Sequence, residues 1–301
     1  LRGVSEDAPL ETWLNQYIWP LEARHVSEAF VRDGTRLAMA EMIRSGTTCF
    51  SDMYFFPEAV AAAAREAGMR CQVAFPVIDF ANVWSANADA GLHRGMRLHD
   101  AYRGDALVRV AFGPHAPYSV AREHLEKILM YSEELDANVH IHLHETATEV
   151  AAARANHGAS WIELLERIGL LSPRLQAVHA TQLTAAEIDL LARNGVHVVH
   201  CPHSNLKLAS GICPVGELLA AGVNVALGSD GAASNNSLDL FQEARLASLL
   251  AKVTAGDAAR LPESRALEMA TLGGARALGL DAVTGSLEAG KSADLIAVDL
   301  S

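Results

Sequence analysis

Imidazoles and carboxylates recur at one kind of place in this sequence, the downstream end of a short apolar run. Asp52 lies at the end of run 47–53, and Asp79 follows run 70–78. His115 follows Phe112-Gly113-Pro114, His142 and Glu145 end run 138–145, and His179 follows Ala177-Val178. His203 follows Cys201-Pro202, and Asp230 ends Leu227-Gly228-Ser229-Asp230. Taken singly, each is equally well explained as a core or loop residue with its hydrogen bonds satisfied. Packing does not explain a whole series at equivalent positions, because an unpartnered buried polar group costs ~1–3 kcal/mol. A shared metal or substrate offsets that cost. Histidine with carboxylate, and no Cys-x-x-Cys pair, is the donor chemistry of zinc or a similar divalent ion at a catalytic site. Such an ion keeps one position for water and lowers its pKa toward ~7, and an adjacent carboxylate can then move protons.

Something must bring residues as far apart as 52 and 230 to one rim. The apolar runs are 47–53, 70–78, 106–114, 138–145, 175–181, 196–202 and 223–230, each short, bounded by turn residues and rich in Val, Ile or aromatics. Helical patterns alternate with them. Leu10, Trp13, Leu14, Tyr17 and Ile18 recur at helical spacing, and Ser27 caps a helix to about Ser45 with Gly46 as its stop. Residues 59–67 (ending at Gly68), 122–136, 184–194 and 238–255 follow the same logic. Repeated strand–helix units predict an α/β protein with a parallel sheet, and the expected form is a (β/α)8 TIM-type barrel with catalytic groups at the carboxyl ends of its strands. Seven runs are visible where a barrel needs eight, so the first strand is expected upstream of Leu1. An open doubly wound sheet is the rival, but it calls for a Gly-rich phosphate turn, and no such motif is present. Residues 1–282 are read as the barrel. Residues 283–301, with a strand expected over 294–300, are read as the start of a return to a small β-sandwich domain.

At these same positions the sequence resembles the amidohydrolase superfamily, specifically its 5′-methylthioadenosine/S-adenosylhomocysteine deaminase family. The resemblance is carried by LRGVSED at 1–7, GPHAPYS at 113–119, HLHET at 142–146, VHA at 178–180, SNLKL at 204–208 and GSDGAASNNSLDL at 228–240, with a match in 285–299. Together they span nearly the whole chain in order. The resemblance implies one Zn2+ per subunit, with His142 and Asp230 among its ligands. It implies that Glu145 protonates the purine N1, that His179 hydrogen-bonds the attacking hydroxide, and that Asp230 takes the water's proton to the departing ammonia. Glu22 and His115 would hold the substrate, Glu22 through the ribose hydroxyls, with Trp13 as a nearby apolar wall. The chemistry is consistent: attack at C6 of adenine pushes electrons onto N1, where an acid lowers the barrier. By its own sequence context Glu22 falls in a loop, where an exposed charge is the plainer reading. The superfamily's His-x-His pair at the end of strand 1 is expected upstream of Leu1, and without it the chain is expected to bind zinc poorly.

Within 138–145, strand alternation places His140, His142 and His144 on one face. His142 is favoured as the ligand, and the other two are read as packing or supporting residues. His203 is read as a rim residue without an assigned role. His25, His93, His99, His124, His157 and His197 are read as surface or helix residues. The resemblance implies that members suited to S-adenosylhomocysteine offer an arginine to its carboxylate, and Phe75 is read as the inward position that could carry it. That reading ranks methylthioadenosine and adenosine above S-adenosylhomocysteine, with Arg94 and Arg97 as alternative cations.

Composition excludes several other classes. There are 24 Lys+Arg against 36 Asp+Glu, a formal charge of −12, with half the residues hydrophobic and a fifth charged. That balance describes a folded soluble chain, and its negative surface opposes nucleic-acid binding. No apolar run approaches the ~18 residues of a membrane span. Four scattered cysteines read as reduced thiols, which suits a cytoplasmic protein. The expected partner is a small-molecule nucleoside, and a homo-oligomer is possible on base rate alone. Two other functions stay open: a superfamily deaminase or chlorohydrolase acting on guanine or a triazine, and a noncatalytic nucleoside-binding fragment.

Overall fold

The computed structural model describes residues 1–299. Each apolar run forms a strand: β1 Cys49–Met53, β2 Arg70–Val77, β3 Val108–Pro114, β4 Val139–Leu143, β5 Leu175–His179, β6 His197–His200 and β7 Asn224–Leu227. All pair in parallel and in chain order within one sheet. Parallel neighbours need long crossovers, and helices such as Pro57–Ala67, Ala88–Ala101, Arg122–Leu135 and Ala185–Arg193 supply them. The expected end signals operate: Ser27 Oγ accepts from the Phe30 amide at 3.2 Å, and Gly68 ends Pro57–Ala67 at φ 68°.

The sheet is curled into a half-barrel. Gln72 on β2 donates to Gln176 on β5 at 2.7 Å, and Ser51 on β1 meets His140 on β4 at 3.4 Å. Side chains from strands three places apart meet only if the sheet wraps around them, so the fold is an α/β TIM-type barrel rather than an open doubly wound sheet. At the amino-terminal ends, Arg109, Gln176 and Asn224 donate to the carbonyls of Gly279, Ala277 and Gly273. The closing helical stretch therefore lies against that end, and the carboxyl ends are left for chemistry.

The main core lies between sheet and helices, where Val73, Phe75, Val77, Phe112, Ile141, Leu143, Leu175 and Val225 pack together. Phe75 is thus an outward residue, contrary to its expected inward place. Strand alternation directs Gln72 into the barrel and Phe75 to the other face, where its ring contacts Phe112 edge-on at 5.0 Å. The ranking of substrates that rested on Phe75 loses its basis. Arg94 is engaged as well, bonded to Glu58 and the Trp84 carbonyl with its guanidinium 4.7 Å over the Trp84 ring.

Two segments differ from expectation. Leu10–Thr12, Trp13–Ile18 (π-helical) and Trp19–His25 run on as helix, so Glu22 is helical rather than in a loop. Residues 294–299 form no strand, and Leu300 lies outside the described residues. A strand exists through ladder bonds to a neighbour, and the tail is held instead by side chains, with Arg70 bonded to Asp294 at 2.9 Å. Among the described residues, no helix is long and apolar enough to cross a membrane.

Candidate active site

Strand ends β4, β5 and β7 bring four side chains together. His142 points inward from β4, its flanking Ile141 and Leu143 being in the outer core. Its Nδ1 donates to the His115 carbonyl at 2.7 Å, which leaves Nε2 unprotonated with its lone pair free. Burial and the neighbouring His179 lower its pKa, so the ring is neutral. The His179 ring lies 5.5 Å from His142 and nearly parallel, at 25°. By alternation His179 would point out of the barrel. Its left-handed backbone, φ 76°, turns the ring inward, and Ala180 follows at φ 46°.

Glu145 and Asp230 flank this pair. His179 Nε2 lies 3.7 Å from Glu145 Oε2. Burial pulls the His179 pKa down, but Glu145, Asp230 and the Asn205 oxygen outweigh it, so it stands above the ordinary imidazole value. Asp230, also left-handed at φ 58°, accepts from Ser204 Oγ and the Gly231 amide, each at 2.6 Å. Burial opposes its charge, yet His179, Ser204 and His142 hold the carboxyl below the usual range. Glu145 accepts from Ser210 Oγ at 3.2 Å.

His115, at the end of β3, packs edge-on against His142 at 5.1 Å. Ser119 Oγ donates to the Ala116 carbonyl, so toward His115 it accepts, and the ring's proton sits on Nδ1. Burial pushes the His115 pKa down to about 3, again a neutral ring with Nε2 bare. Glu22 is buried at 9% exposure and accepts from Tyr54 Oη at 2.6 Å, just beyond β1. Among the described residues it makes no hydrogen bond or ion pair to the histidine cluster. Trp13 packs with Ile18 and Leu208, and its indole N–H donates to the Ser5 carbonyl at 3.1 Å.

Other expected rim residues lie elsewhere. Asp79 accepts from the Ala121 amide at 2.5 Å and pairs with His124, a structural tie between loops. His124, read as a surface or helix residue, lies in the helix Arg122–Leu135 and is a mostly buried ion-pair partner there. His203 pairs with Glu243 at 2.9 Å, and among the described residues no hydrogen bond or ion pair joins its ring to the cluster. His144 leaves the face of His140 and His142, because φ 53° breaks the alternation and sends its Nδ1 to the Gln182 carbonyl. His197 belongs to β6 and meets Asn224 at 3.0 Å. Asp52 is half-buried at its strand end, and desolvation pushes its carboxyl up to about 6.

Several supporting residues were not anticipated. Tyr54 holds Glu22, while Ser204, Asn205 and Ser210 hold Asp230, His179 and Glu145. Glu149 accepts from the amides of His144 and Glu145 at 3.1 and 2.8 Å. A signal existed for two groups: Ser204 and Asn205 lie in the SNLKL motif, and Thr146-x-x-Glu149 spells a helix-capping pattern.

His142 Nε2 and an oxygen of Asp230 are suitable zinc donors. A catalytic zinc takes three protein ligands, and the described residues contain no group of three or more His, Cys, Asp or Glu placed to hold a metal by themselves. The fit is therefore to part of a metal shell.

The amidohydrolase family model matches residues 1–301. A 5-methylthioadenosine/S-adenosylhomocysteine deaminase of Teredinibacter turnerae is 55% identical over 301 residues, which is 100% of this chain and 68% of that protein. A 5′-deoxyadenosine deaminase of Methanothermobacter thermautotrophicus is 46% identical over 297 residues, 98% of this chain and 68% of that one. A solved zinc-bound adenosine deaminase from Xanthomonas campestris has a TM-score of 0.96 at 51% identity, covering 97% of this chain and 66% of its own. The chain spans about two thirds of the length of the curated relatives it matches. Similar from end to end in sequence and in fold, the chain belongs to the amidohydrolase family, within its 5-methylthioadenosine/S-adenosylhomocysteine deaminase group.

Proposed function

We propose that this chain carries the purine-recognising and proton-moving part of a zinc-dependent hydrolase. The reaction converts an adenosine-type nucleoside (5′-methylthioadenosine, adenosine or S-adenosylhomocysteine) to the inosine analogue and ammonia. The observation that carries this reading is the meeting of His142, Glu145, His179 and Asp230 at one rim, with His179 3.7 Å from Glu145. His142 and Asp230 would hold the metal. The further donors are to be sought in the third of the relatives' length that this chain does not span. Zinc, when bound, supplies a water whose pKa is lowered to ~7.

The chain's own residues do the rest. His179 holds the attacking water through Nε2. Asp230, kept ionised by its neighbours, accepts the water's proton and passes it to the leaving amine as the C6–N bond breaks. Glu145 donates its proton to N1, where electron density accumulates on attack. His115, neutral with Nε2 bare, accepts a hydrogen bond from the substrate. Glu22 has one oxygen tied to Tyr54 and the other available to ribose hydroxyls, with Trp13 as the apolar wall. A buried Glu22 favours a nucleoside over guanine or a triazine, which have no ribose to clamp. A proton-moving pair such as Glu145 and Asp230 has no use in a noncatalytic binder.

A cytoplasmic setting suits the free Cys49, Cys71, Cys201 and Cys213. We read 1–282 as the barrel domain and 283–301 as the beginning of a return to a small β-domain.

Ammonia release from a panel of methylthioadenosine, adenosine, S-adenosylhomocysteine, guanine and a triazine, with zinc supplied, tests the reading. Nucleosides are expected to react and free bases not. Glu145→Gln is expected to keep nucleoside binding and lose ~10²-fold or more in kcat. Release from guanine or the triazine alone, or full activity in the variant, would overturn it.

A further inference from the structure

Two adjacent side chains with no acid–base chemistry of their own grip two residues that have it. Ser204 and Asn205 lie side by side in the helix Pro202–Lys207, just after β6, and are 0% and 1% exposed. Ser204 Oγ donates to Asp230 Oδ2 at 2.6 Å, and His179 Nδ1 donates to Asn205 Oδ1 at 2.8 Å. The short helix is itself anchored. The Ser210 amide donates to the Asn205 carbonyl at 2.8 Å, and Lys207 Nζ donates to the Ala233 carbonyl and Asn236 Oδ1 at 3.1 and 2.9 Å. Lys207 thereby fastens this helix to the loop that follows Asp230.

Packing does not account for Asn205. Among the described residues its Nδ2 is buried without a partner, an arrangement that costs ~1–3 kcal/mol and that an apolar side chain would avoid. The amide is worth that cost only for the bond its oxygen makes. The oxygen, rather than the nitrogen, faces the ring: Asn205 Oδ1 lies 2.8 Å from His179 Nδ1, while Nδ2 is turned away from it.

We infer that Ser204 and Asn205 are positioning residues, Ser204 fixing the carboxylate of Asp230 and Asn205 holding the His179 proton on Nδ1 so that Nε2 is the working nitrogen. An acceptor fixed at Nδ1 can be met only by an N–H, so the neutral ring has a single favoured tautomer. Nε2 is then aimed at the space beside Glu145. What the ring does there rests on the deaminase reading; how it is held does not.

The test uses the 301-residue protein with 15N-labelled histidine rings, His179 being assigned by loss of its signals in His179→Gln. Long-range 1H–15N spectra are expected to show Nδ1 protonated in the wild type. Asn205→Leu is expected to give mixed tautomers. Asn205→Asp is expected to keep the Nδ1 proton and move it downfield, as a charged acceptor strengthens the bond. Turnover of methylthioadenosine is expected to fall ~10–100-fold in kcat for Asn205→Leu and Ser204→Ala, with a smaller change in KM. A bare Nδ1 in the wild type, or an unchanged ring in a folded Asn205→Leu, would overturn the inference. If Asn205→Leu does not fold, an unmoved Nδ1 proton in Asn205→Asp would do the same. Wild-type protein without any turnover would count against the deaminase reading, while the ring spectra still decide how His179 is held.

Discussion

Glu149 shows how the site's architecture is written into stability. Its carboxylate accepts the amides of His144 and Glu145, and burial pushes its pKa up to about 7. An acid raised in the folded state binds its proton more tightly there than when unfolded. Its contribution to stability is therefore complete below the ordinary value of 4.5 and is lost as pH rises through about 7. Urea unfolding followed from about pH 5 to about 8 is expected to show stability falling more steeply in the wild type than in Glu149→Gln. Equal slopes would show that Glu149 is not the titrating group. At this scale the sequence was legible where a chemical residue type coincided with a strand end, as at His142, Glu145, His179 and Asp230. It was misleading where a neighbouring helix rather than the barrel interior claimed the side chain, as with Asp79, paired to His124, and His203, paired to Glu243. Ser204, Asn205 and Tyr54 were passed over because hydroxyls and amides look like ordinary polar residues until their partners are known.

The strands were legible because burial on both faces leaves a short uninterrupted apolar signal, and all seven runs became strands. Alternation within a strand predicted facing correctly only where the register was known. Phe75 was placed inward for want of a neighbour to fix it, and Gly95 shows where it belongs. A Cβ at Gly95, in the helix Ala88–Ala101, would lie 2.1 Å from Phe75 Cδ2. Gly95→Ala would ordinarily stabilise a helix by ~1 kcal/mol, but here overpacking is expected to outweigh that with a net loss of ~1–3 kcal/mol. Denaturant titration of the variant checks the sign, and a gain in stability would return Phe75 to the barrel interior. That helix, Ala147–His157 and Trp161–Ile168 were not anticipated, although Asn87, Thr146 and Ser160 cap them; Ala147–His157 buries only Ala153, whereas Trp161–Ile168 has a clear apolar face and is merely short. The strand expected over 294–300 had the composition for one, but pairing decides a strand and composition does not.

At the scale of the 301 residues, the proposed metal site has two donors, His142 and Asp230, and on that reading affinity is the weak point. Protein refolded with zinc and dialysed is expected to retain well under one equivalent by elemental analysis, and His142→Ala to retain less still. Full occupancy in the 301-residue chain would mean that a donor among the described residues has been overlooked. The curled sheet sets the remaining constraint. Its interior amides join β2 to β5 near the amino-terminal ends, so the sheet cannot flatten without parting Gln72 from Gln176. At that rim His144, His179, Ala180 and Asp230 all adopt backbone angles that L-amino acids resist. Selection of heat-tolerant mutants would accordingly reach glycine first at Ala180, which carries no reacting group; glycine at His144 would also forfeit the bond to Gln182, and at His179 or Asp230 it would remove a group that the proposed chemistry needs.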